Sequence, residues 1–470
     1  MQTANTIAIP KEIFKAYDIR GIVGKTLTPE IVELIGHALG SEAKKRGQTE
    51  ICIGYDGRLS GPELAHALSS GIRKAGINVV NLGMVATPMV YFAAYHLNTH
   101  CGVMVTGSHN PPDYNGLKMV LDGETLSNES IQSLRQRIEQ KNFTYGDGVE
   151  RNYAITEDYI STIQADIKLT RPMQIAVDCG NGVAGAFAKN LYNSIGCRVD
   201  ELFCEVDGHF PNHHPDPSIP ENLVDLANLL QTSSAEIGLA FDGDGDRLGI
   251  VTKDCQIIYP DRQLLLFAED VLSRNKGATI IFDVKSTRNL SPWIRKYGGN
   301  PLMWKTGHSL VKAKIKETNA ALAGEMSGHL FFNDADIKGK KRWYGFDDGL
   351  YAGARMLEIL SQFANPSDIL NSLPDSFSTP EQHIQMNEGE PHALIASLQK
   401  SANFEGAVEV ITIDGLRVEY PDGFGLMRPS NTTPVIVLRF EADSVTALKR
   451  IQAQFREVIL GTAPHLALPF

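Results

Sequence analysis

Four short strings carry the residues most able to do chemistry. Thr106-Gly107-Ser108-His109-Asn110-Pro111-Pro112 sets a serine on a turn that glycine keeps tight and two prolines stiffen. Beside His109 that hydroxyl can be an exposed nucleophile, although the same string also serves as a surface turn or helix cap. Asp242-Gly243-Asp244-Gly245-Asp246-Arg247 places three carboxylates at alternating positions in a loop too rich in glycine to be a helix. Carboxylates so close repel one another unless a cation or a neighbour such as Arg247 compensates, and oxygen-only ligands suit Mg²⁺ better than zinc. The longer loop and terminal Glu of an EF-hand are missing, and metal binding is favoured over a solvated acidic turn.

The third string, Gly324-Glu325-Met326-Ser327-Gly328-His329, offers groups that accept from and donate to vicinal hydroxyls; its plainer reading is a capped turn. In the fourth, Arg428-Pro429-Ser430-Asn431-Thr432-Thr433-Pro434, an arginine can hold phosphate by a two-pronged contact while hydroxyl and amide groups complete the cradle. The P-loop pattern is absent, and a polar hairpin connection accounts for the string equally well. Tyr17-Asp18-Ile19-Arg20-Gly21 adds another arginine on a turn, and Lys285 and His308 are open to several uses. His213 and His214 are adjacent, so they are expected to face different ways and to be structural or supporting residues rather than zinc ligands. A positioned hydroxyl, a hard-cation site and several phosphate-capable bases fit phosphoryl transfer, which needs charge stabilisation and an in-line nucleophile more than an organic cofactor.

These strings need elements to hold them. Three times an apolar, β-branched run ends in an Asp-containing loop, at Asp56, Asp178 and Asp283, and each is followed by a helix-like stretch and a later run with its own glycine-rich tip. Those tips are the serine, acidic and Glu-Met-Ser strings. The alternation argues for βαβ units in mostly parallel sheets, and ligands of such sheets sit beyond the carboxyl ends of the strands, so the tips can converge on one cleft. Helices are expected after Thr28-Pro29-Glu30, from Ser60 to Gly76, at Asp225–Leu230, Asp261–Arg274 and Asp347–Leu360. Linkers are expected at 147–172, near 254–262 and at 361–384. The rest is of another kind: alternation around Asp414-Gly415 signals a hairpin, Pro434–Phe440 a strand and Ser444–Leu460 a helix, together an α+β unit.

The chain has 470 residues, 43% hydrophobic and 21% charged, enough for several cores. A net charge of −11 excludes a global basic footprint for nucleic acid or anionic lipid. Six cysteines without a CxxC pair read as reduced, cytoplasmic thiols. A signal peptide is not expected, and the apolar stretch Val79–Tyr95 is broken by Asn81, Thr87 and Pro88, short of a membrane span.

TGSHNP, DGDGDR, GEMSGH and RPSNTTP, in this order, resemble the α-D-phosphohexomutase superfamily, and more narrowly its bacterial phosphomannomutase/phosphoglucomutase branch, from Tyr17 to the helix after Ser444. The resemblance implies an α/β architecture of three related domains and a C-terminal α+β domain around a central cleft, with boundaries expected at 1–153, 154–256, 257–368 and 369–470. It implies that Ser108 is the phosphoserine and that Asp242, Asp244 and Asp246, with a phosphoserine oxygen, hold one Mg²⁺. Arg20, Lys118 and Arg247 would surround the transferring group, His109 and Asn110 flank the serine, and Lys118 and His308 are the candidates for proton transfer. Lys285, His308, Glu325, Ser327 and His329 would orient the sugar, and Tyr17, Arg428, Ser430, Asn431 and Thr432 would grip the other phosphate.

The implied cycle passes phosphate from Ser108 to a mannose or glucose 1- or 6-phosphate. The bound hexose 1,6-bisphosphate turns end over end and returns the other phosphate, and free bisphosphate acts as activator. A cytoplasmic monomer is expected. Two positions depart from the pattern: Pro429 stands where alanine is usual, and Ser286 where many relatives have cysteine. Glu325-Met326-Ser327 resembles the mannose/glucose type, whereas glucosamine mutases carry glutamine between glutamate and serine. The alternatives are a phosphoglucosamine mutase and a Mg²⁺-dependent sugar phosphatase, in which water would attack the phosphoenzyme.

Overall fold

The computed structural model describes residues 9–431 and 433–470. The three Asp-terminated runs become the parallel strands Glu50–Tyr55, Met173–Asp178 and Thr279–Asp283, each inside its own sheet. In the first, 7-stranded sheet, Glu50–Tyr55 pairs in parallel with Asn78–Met84 on one side and Gly102–Val105 on the other. Tyr114–Leu121 and then Ile19–Ile22 continue that sheet antiparallel. The second, 5-stranded sheet and the third, 4-stranded sheet repeat the parallel centre with an antiparallel edge. Buried on both faces, these strands are near-continuous apolar runs.

Helix starts follow the local chemistry. Thr28 accepts from the Ile31 N–H to cap Pro29–Lys45, Asp348 caps Gly349–Leu360 through the Tyr351 N–H, and Ser444 caps Val445–Thr462. The apolar stretch from Val79 divides into the strand Asn78–Met84 and the helix Thr87–His96. Among the described residues no helix is long and apolar enough to cross a membrane.

The fourth unit is a 6-stranded antiparallel sheet covered by Glu390–Ser401 and Val445–Thr462. Its hairpin joins Glu409–Ile411 to Leu416–Tyr420 through Gly415, at φ 89°. The loop after Arg428 connects Gly423–Pro429 to Val435–Ala442.

The expected linkers are more structured than their composition suggests. Within 147–172, Glu150–Asn152 adds a strand to the first sheet and Thr156–Asp166 forms a helix whose Tyr159 and Ile163 are fully buried. Near 254–262, Ile257–Ile258 is an edge strand and Pro260 already opens a helix. Within 361–384, the helix Pro366–Asn371 crosses the expected boundary at 368/369, with Leu370 and Leu373 in the core shared with the units before it. Polar, proline-rich composition marks ends of elements as readily as linkers.

Candidate active site

All three glycine-rich tips leave the carboxyl ends of parallel strands: Ser108 after Gly102–Val105, Asp242 after Ile237–Phe241 and Glu325 after Leu322–Gly324. They meet. Ser108 Oγ donates to Asp242 Oδ2 at 2.9 Å and lies 3.4 Å from His109 Nδ1. The acidic loop approaches so closely that a Cβ on Gly243 would stand 2.4 Å from the Ser108 carbonyl oxygen. The other oxygen of Asp242 accepts from the N–H groups of Gly245, Asp246 and Arg247, which curls the loop around its own first carboxylate.

Asp242, Asp244 and Asp246 are completely buried and bring one carboxylate oxygen each within 4.8 Å of the others. Cations and a hydroxyl crowd around them, and Arg247 Nε lies 3.7 Å from Asp242. Lys118 donates to Asp244 Oδ2 at 2.7 Å and to Asp246, and Thr87 donates to Asp244 at 2.5 Å. Asp244 Oδ1 and Asp246 Oδ1 have no hydrogen-bond partner. Asp244 Oδ1 is orphaned and Asp246 Oδ1 is approached only by the His329 ring, at 3.4 Å; in a buried, oxygen-only cluster such atoms are what a hard divalent cation such as Mg²⁺ satisfies, so the residues fit that ion.

The electrostatics follow from this crowding. Burial and the charges of Asp244 and Asp246 push the Asp242 carboxyl well above its usual range. Burial opposes the charged form of Lys118 as well, but the carboxylates outweigh it and hold the ammonium above its ordinary value. Burial, with the nearby charges of Arg247, Arg20 and Lys118, drives His109 well down, keeping its ring neutral. Arg20 is paired with Asp18 at 2.5 Å and sits opposite Gly116, one strand away from Lys118.

The second and third tips are joined through their backbones, by a bridge between Arg247 and His329 and by the Leu248 N–H donating to Gly328 O. His329 Nε2 lies 3.4 Å from Asp246 Oδ1, and Ser327 Oγ lies 2.9 Å from His329 Nδ1. Burial disfavours the imidazolium, but Asp246 and Glu325 raise His329 to about 9. His308, ring to ring with it at 5.7 Å, goes the other way: burial and Lys312 hold it well below its ordinary value. Two neighbouring imidazoles of opposite charge preference give the site one cation and one neutral base. Glu325 accepts from the Gly307 N–H at 2.5 Å, and Lys285 donates to Glu381 at 2.6 Å.

The fourth string reaches the same place from the last sheet. Asn431 donates to Tyr17 Oη across a separation of 414 residues, and Tyr17 donates to the Thr306 carbonyl at 2.7 Å. Arg428 is buried and paired with Asp414 at 3.0 Å. Ser430 Oγ accepts from the Thr433 N–H at 3.3 Å. Thr432 lies outside the described residues. Asn110 turns inward, its amide donating to the Gly107 carbonyl at 2.8 Å. His213 is held by Asp178 at 3.0 Å, a support under the second tip.

Sequence reasoning missed several partners. Asp347 is fully buried, takes Lys312 at 2.7 Å, and forms with Asp246 and His329 a second grouping of possible metal ligands. Its Oδ2 is 3.6 Å from His308 Nδ1, and neither atom has a hydrogen-bond partner. In sequence Asp347-Asp348 reads as a helix start, which is the role Asp348 plays; nothing local separates the two. Asp414, Glu381 and Thr87 likewise look like turn or cap residues until the chain is folded.

Four family models match consecutive parts of the chain: phosphoglucomutase/phosphomannomutase alpha/beta/alpha domains I, II and III at residues 11–145, 157–255 and 259–377, and the C-terminal domain at 383–458. The chain belongs to the phosphoglucomutase/phosphomannomutase family. Within that family it is 60% identical over 464 residues to a phosphoglucomutase of Neisseria meningitidis serogroup A, with 98% of this chain and 99% of the relative covered. It is 54% identical over 471 residues to the phosphomannomutase/phosphoglucomutase of Pseudomonas aeruginosa, with both chains fully covered. A crystal structure of a phosphoglucomutase/phosphomannomutase family protein from Burkholderia thailandensis superposes with a TM-score of 0.93 at 57% identity, covering 98% of this chain and all of that one.

Proposed function

We propose that the chain is a phosphomannomutase/phosphoglucomutase. It moves a phosphoryl group reversibly between C1 and C6 of mannose and glucose phosphates, through a phosphoserine and a hexose 1,6-bisphosphate. The observation that carries this reading is the meeting of Ser108 with the acidic loop at 2.9 Å, inside a cleft that also holds the Arg428 loop. The relatives named phosphoglucomutase and phosphomannomutase/phosphoglucomutase support the same substrates.

Ser108 Oγ is the atom that carries and recovers the phosphate. Asp242, Asp244 and Asp246, with a phosphoserine oxygen, would hold Mg²⁺, which when bound supplies positive charge against the oxygens of the transferring group. Arg20, Lys118 and Arg247 add fixed cations around that group, and His109 and Asn110 flank the serine loop. Lys118 and His308 serve proton transfer at the sugar hydroxyl. Glu325, Ser327, His329 and Lys285 orient the ring by its hydroxyls. Tyr17, Arg428, Ser430, Asn431 and Thr432 grip the phosphate that is not reacting. Because phosphoryl transfer depends on alignment and charge, holding the distant phosphate contributes to the chemistry at the near one.

The bisphosphate is both intermediate and activator. We divide the chain after 153 and 256 and place the last boundary after Leu373. The chain acts as a cytoplasmic monomer, and six cysteines without a CxxC pair support the reducing setting. The test is turnover of mannose, glucose and glucosamine 1-phosphates with Mg²⁺ and catalytic bisphosphate. Mannose and glucose phosphates are expected to isomerise without releasing inorganic phosphate. Preference for glucosamine phosphate would move the chain to the phosphoglucosamine mutases, and steady release of phosphate would make it a phosphatase.

A further inference from the structure

Beneath the serine loop lies a side chain that meets that loop through backbone carbonyls alone. Arg58 follows the strand Glu50–Tyr55 and is 1% exposed. Its Nη2 donates to the carbonyls of Ser108 at 2.8 Å and Asn110 at 2.5 Å, and its Nη1 to those of Pro111 at 2.6 Å and Tyr114 at 2.9 Å. Asp56, 3.4 Å from Arg58 Nε, accepts from the Thr106 hydroxyl at 2.6 Å and the Gly107 N–H at 3.3 Å; the Thr106 hydroxyl in turn accepts from the Ser108 N–H at 2.8 Å.

The loop is folded around this pair. Gly107 has no room for a side chain, since a Cβ there would stand 2.5 Å from Arg58 Cζ and Nε. Ser108 is held at φ 48°, a left-handed conformation that costs a non-glycine residue energy and persists only where its surroundings fix it. Four carbonyls turned onto one planar fork supply that constraint. A lysine ammonium, a point donor with three hydrogens, cannot serve all of them in the same plane. The guanidinium also lies over the Phe210 ring at 5.2 Å, in the unit that carries the acidic loop. One side chain therefore fixes the nucleophile's backbone and seats it against the unit bearing the carboxylates.

We infer that Arg58 is a positioning residue for phosphoryl transfer, setting the line along which Ser108 Oγ meets the phosphorus without touching substrate. This rests on the reading of Ser108 as the phosphate carrier. Two variants probe it. Arg58→Lys keeps the charge and loses the fork; Gly107→Ala keeps Arg58 and displaces its guanidinium, so the test survives if the first variant does not fold.

Each variant and the parent chain are primed with labelled glucose 1,6-bisphosphate. The labelled residue is mapped by mass spectrometry, and transfer from the phosphoenzyme to glucose 6-phosphate is followed in a single turnover beside steady-state kinetics. In folded variants the label is expected on Ser108, with kcat and the transfer rate both lower by about 100-fold, as for an ångström-scale misplacement of a reacting group. KM is expected to move by less than about threefold, because the distant phosphate is still gripped. Transfer at the parent rate in a folded variant, or a raised KM with transfer unchanged, overturns the role of Arg58. A parent chain that carries its label on another residue overturns instead the reading of Ser108, whatever the variants do.

Discussion

The first three units and the fourth are built into the molecule in different ways. One apolar core runs from Cys52 and Val80 through Leu239 and Ile250 to Leu350 and Leu373, so the sheets that carry Ser108, the acidic loop and the Glu325 loop share an interior on one face, while the other face of the first sheet packs on a core of its own with Ile35 and Leu68. The fourth unit has its own core, with Ile395, Phe440, Ile451 and Phe455. It meets the third largely through buried polar groups: Arg417 donates to the carbonyls of Val284 and Ser286, Arg439 to that of Lys285 and to Asp261, and Thr287 to Glu441. The apolar contact at that joint is small, Val284 against Phe424 and Leu426. A shared core fixes geometry, because every displacement opens cavities. Units with separate cores and little apolar contact between them are the kind that move relative to one another. On the proposed reading, the residues that do the chemistry sit on the shared core, and the loop proposed to grip the far phosphate sits on the separately cored unit.

The rigid side should give the largest losses. Ser108→Ala removes the proposed phosphate carrier, and turnover is expected to fall by at least about 10⁴-fold. Calorimetric titration with glucose 1-phosphate should find binding nearly intact, because the grip lies elsewhere. Asp244→Asn keeps the volume and removes one anionic ligand; kcat is expected to fall about 10²- to 10³-fold. A Mg²⁺ titration of turnover should show a higher half-saturating concentration, and an unchanged titration would reduce the acidic loop to a buried ion-pair network with Lys118.

On the yielding side the losses should be smaller and different in kind. Arg428→Lys keeps the charge but not the two-pronged contact. It is expected to raise KM about tenfold and lower kcat by a smaller factor, with more escape of bisphosphate and a greater need for added activator. Parent kinetics in this variant would detach the fourth unit from the site and with it the contrast between the two regions.

Much of this was legible beforehand, for physical reasons. Parallel strands buried on both faces must be apolar throughout, and their loops must carry glycine to turn, so the three tips stand out from their surroundings. The linkers did not, because Thr156–Asp166 has only Tyr159 and Ile163 pointing fully inward and its exposed face looks like any polar connection. The site partners stayed hidden for another reason. Asp347, Asp414 and Glu381 are single carboxylates whose cations, Lys312, Arg428 and Lys285, lie 35, 14 and 96 residues away, and charge pairing over such distances leaves no local pattern.

The smallest effect on turnover should come from trimming the fourth core. Leu239→Ala and Ile451→Ala each empty a fully buried position at about 2–5 kcal/mol. Hydrogen exchange should show the first loosening all three α/β units together and the second loosening the fourth unit alone, with kcat close to the parent value. Loosening that spreads equally from both sites would mean one cooperative core and would remove the distinction.

The proposed residence of phosphate on Ser108, and its passage from there to the sugar, can be followed directly. Protein carrying radiolabelled phosphate on Ser108 is mixed with excess unlabelled mannose 6-phosphate, and the label is followed through one turnover. It is expected to leave the enzyme as hexose 1,6-bisphosphate and hexose monophosphate, with Ser108 rephosphorylated from the sugar. Label appearing chiefly as inorganic phosphate, or remaining on the protein while sugar phosphates interconvert, would contradict it.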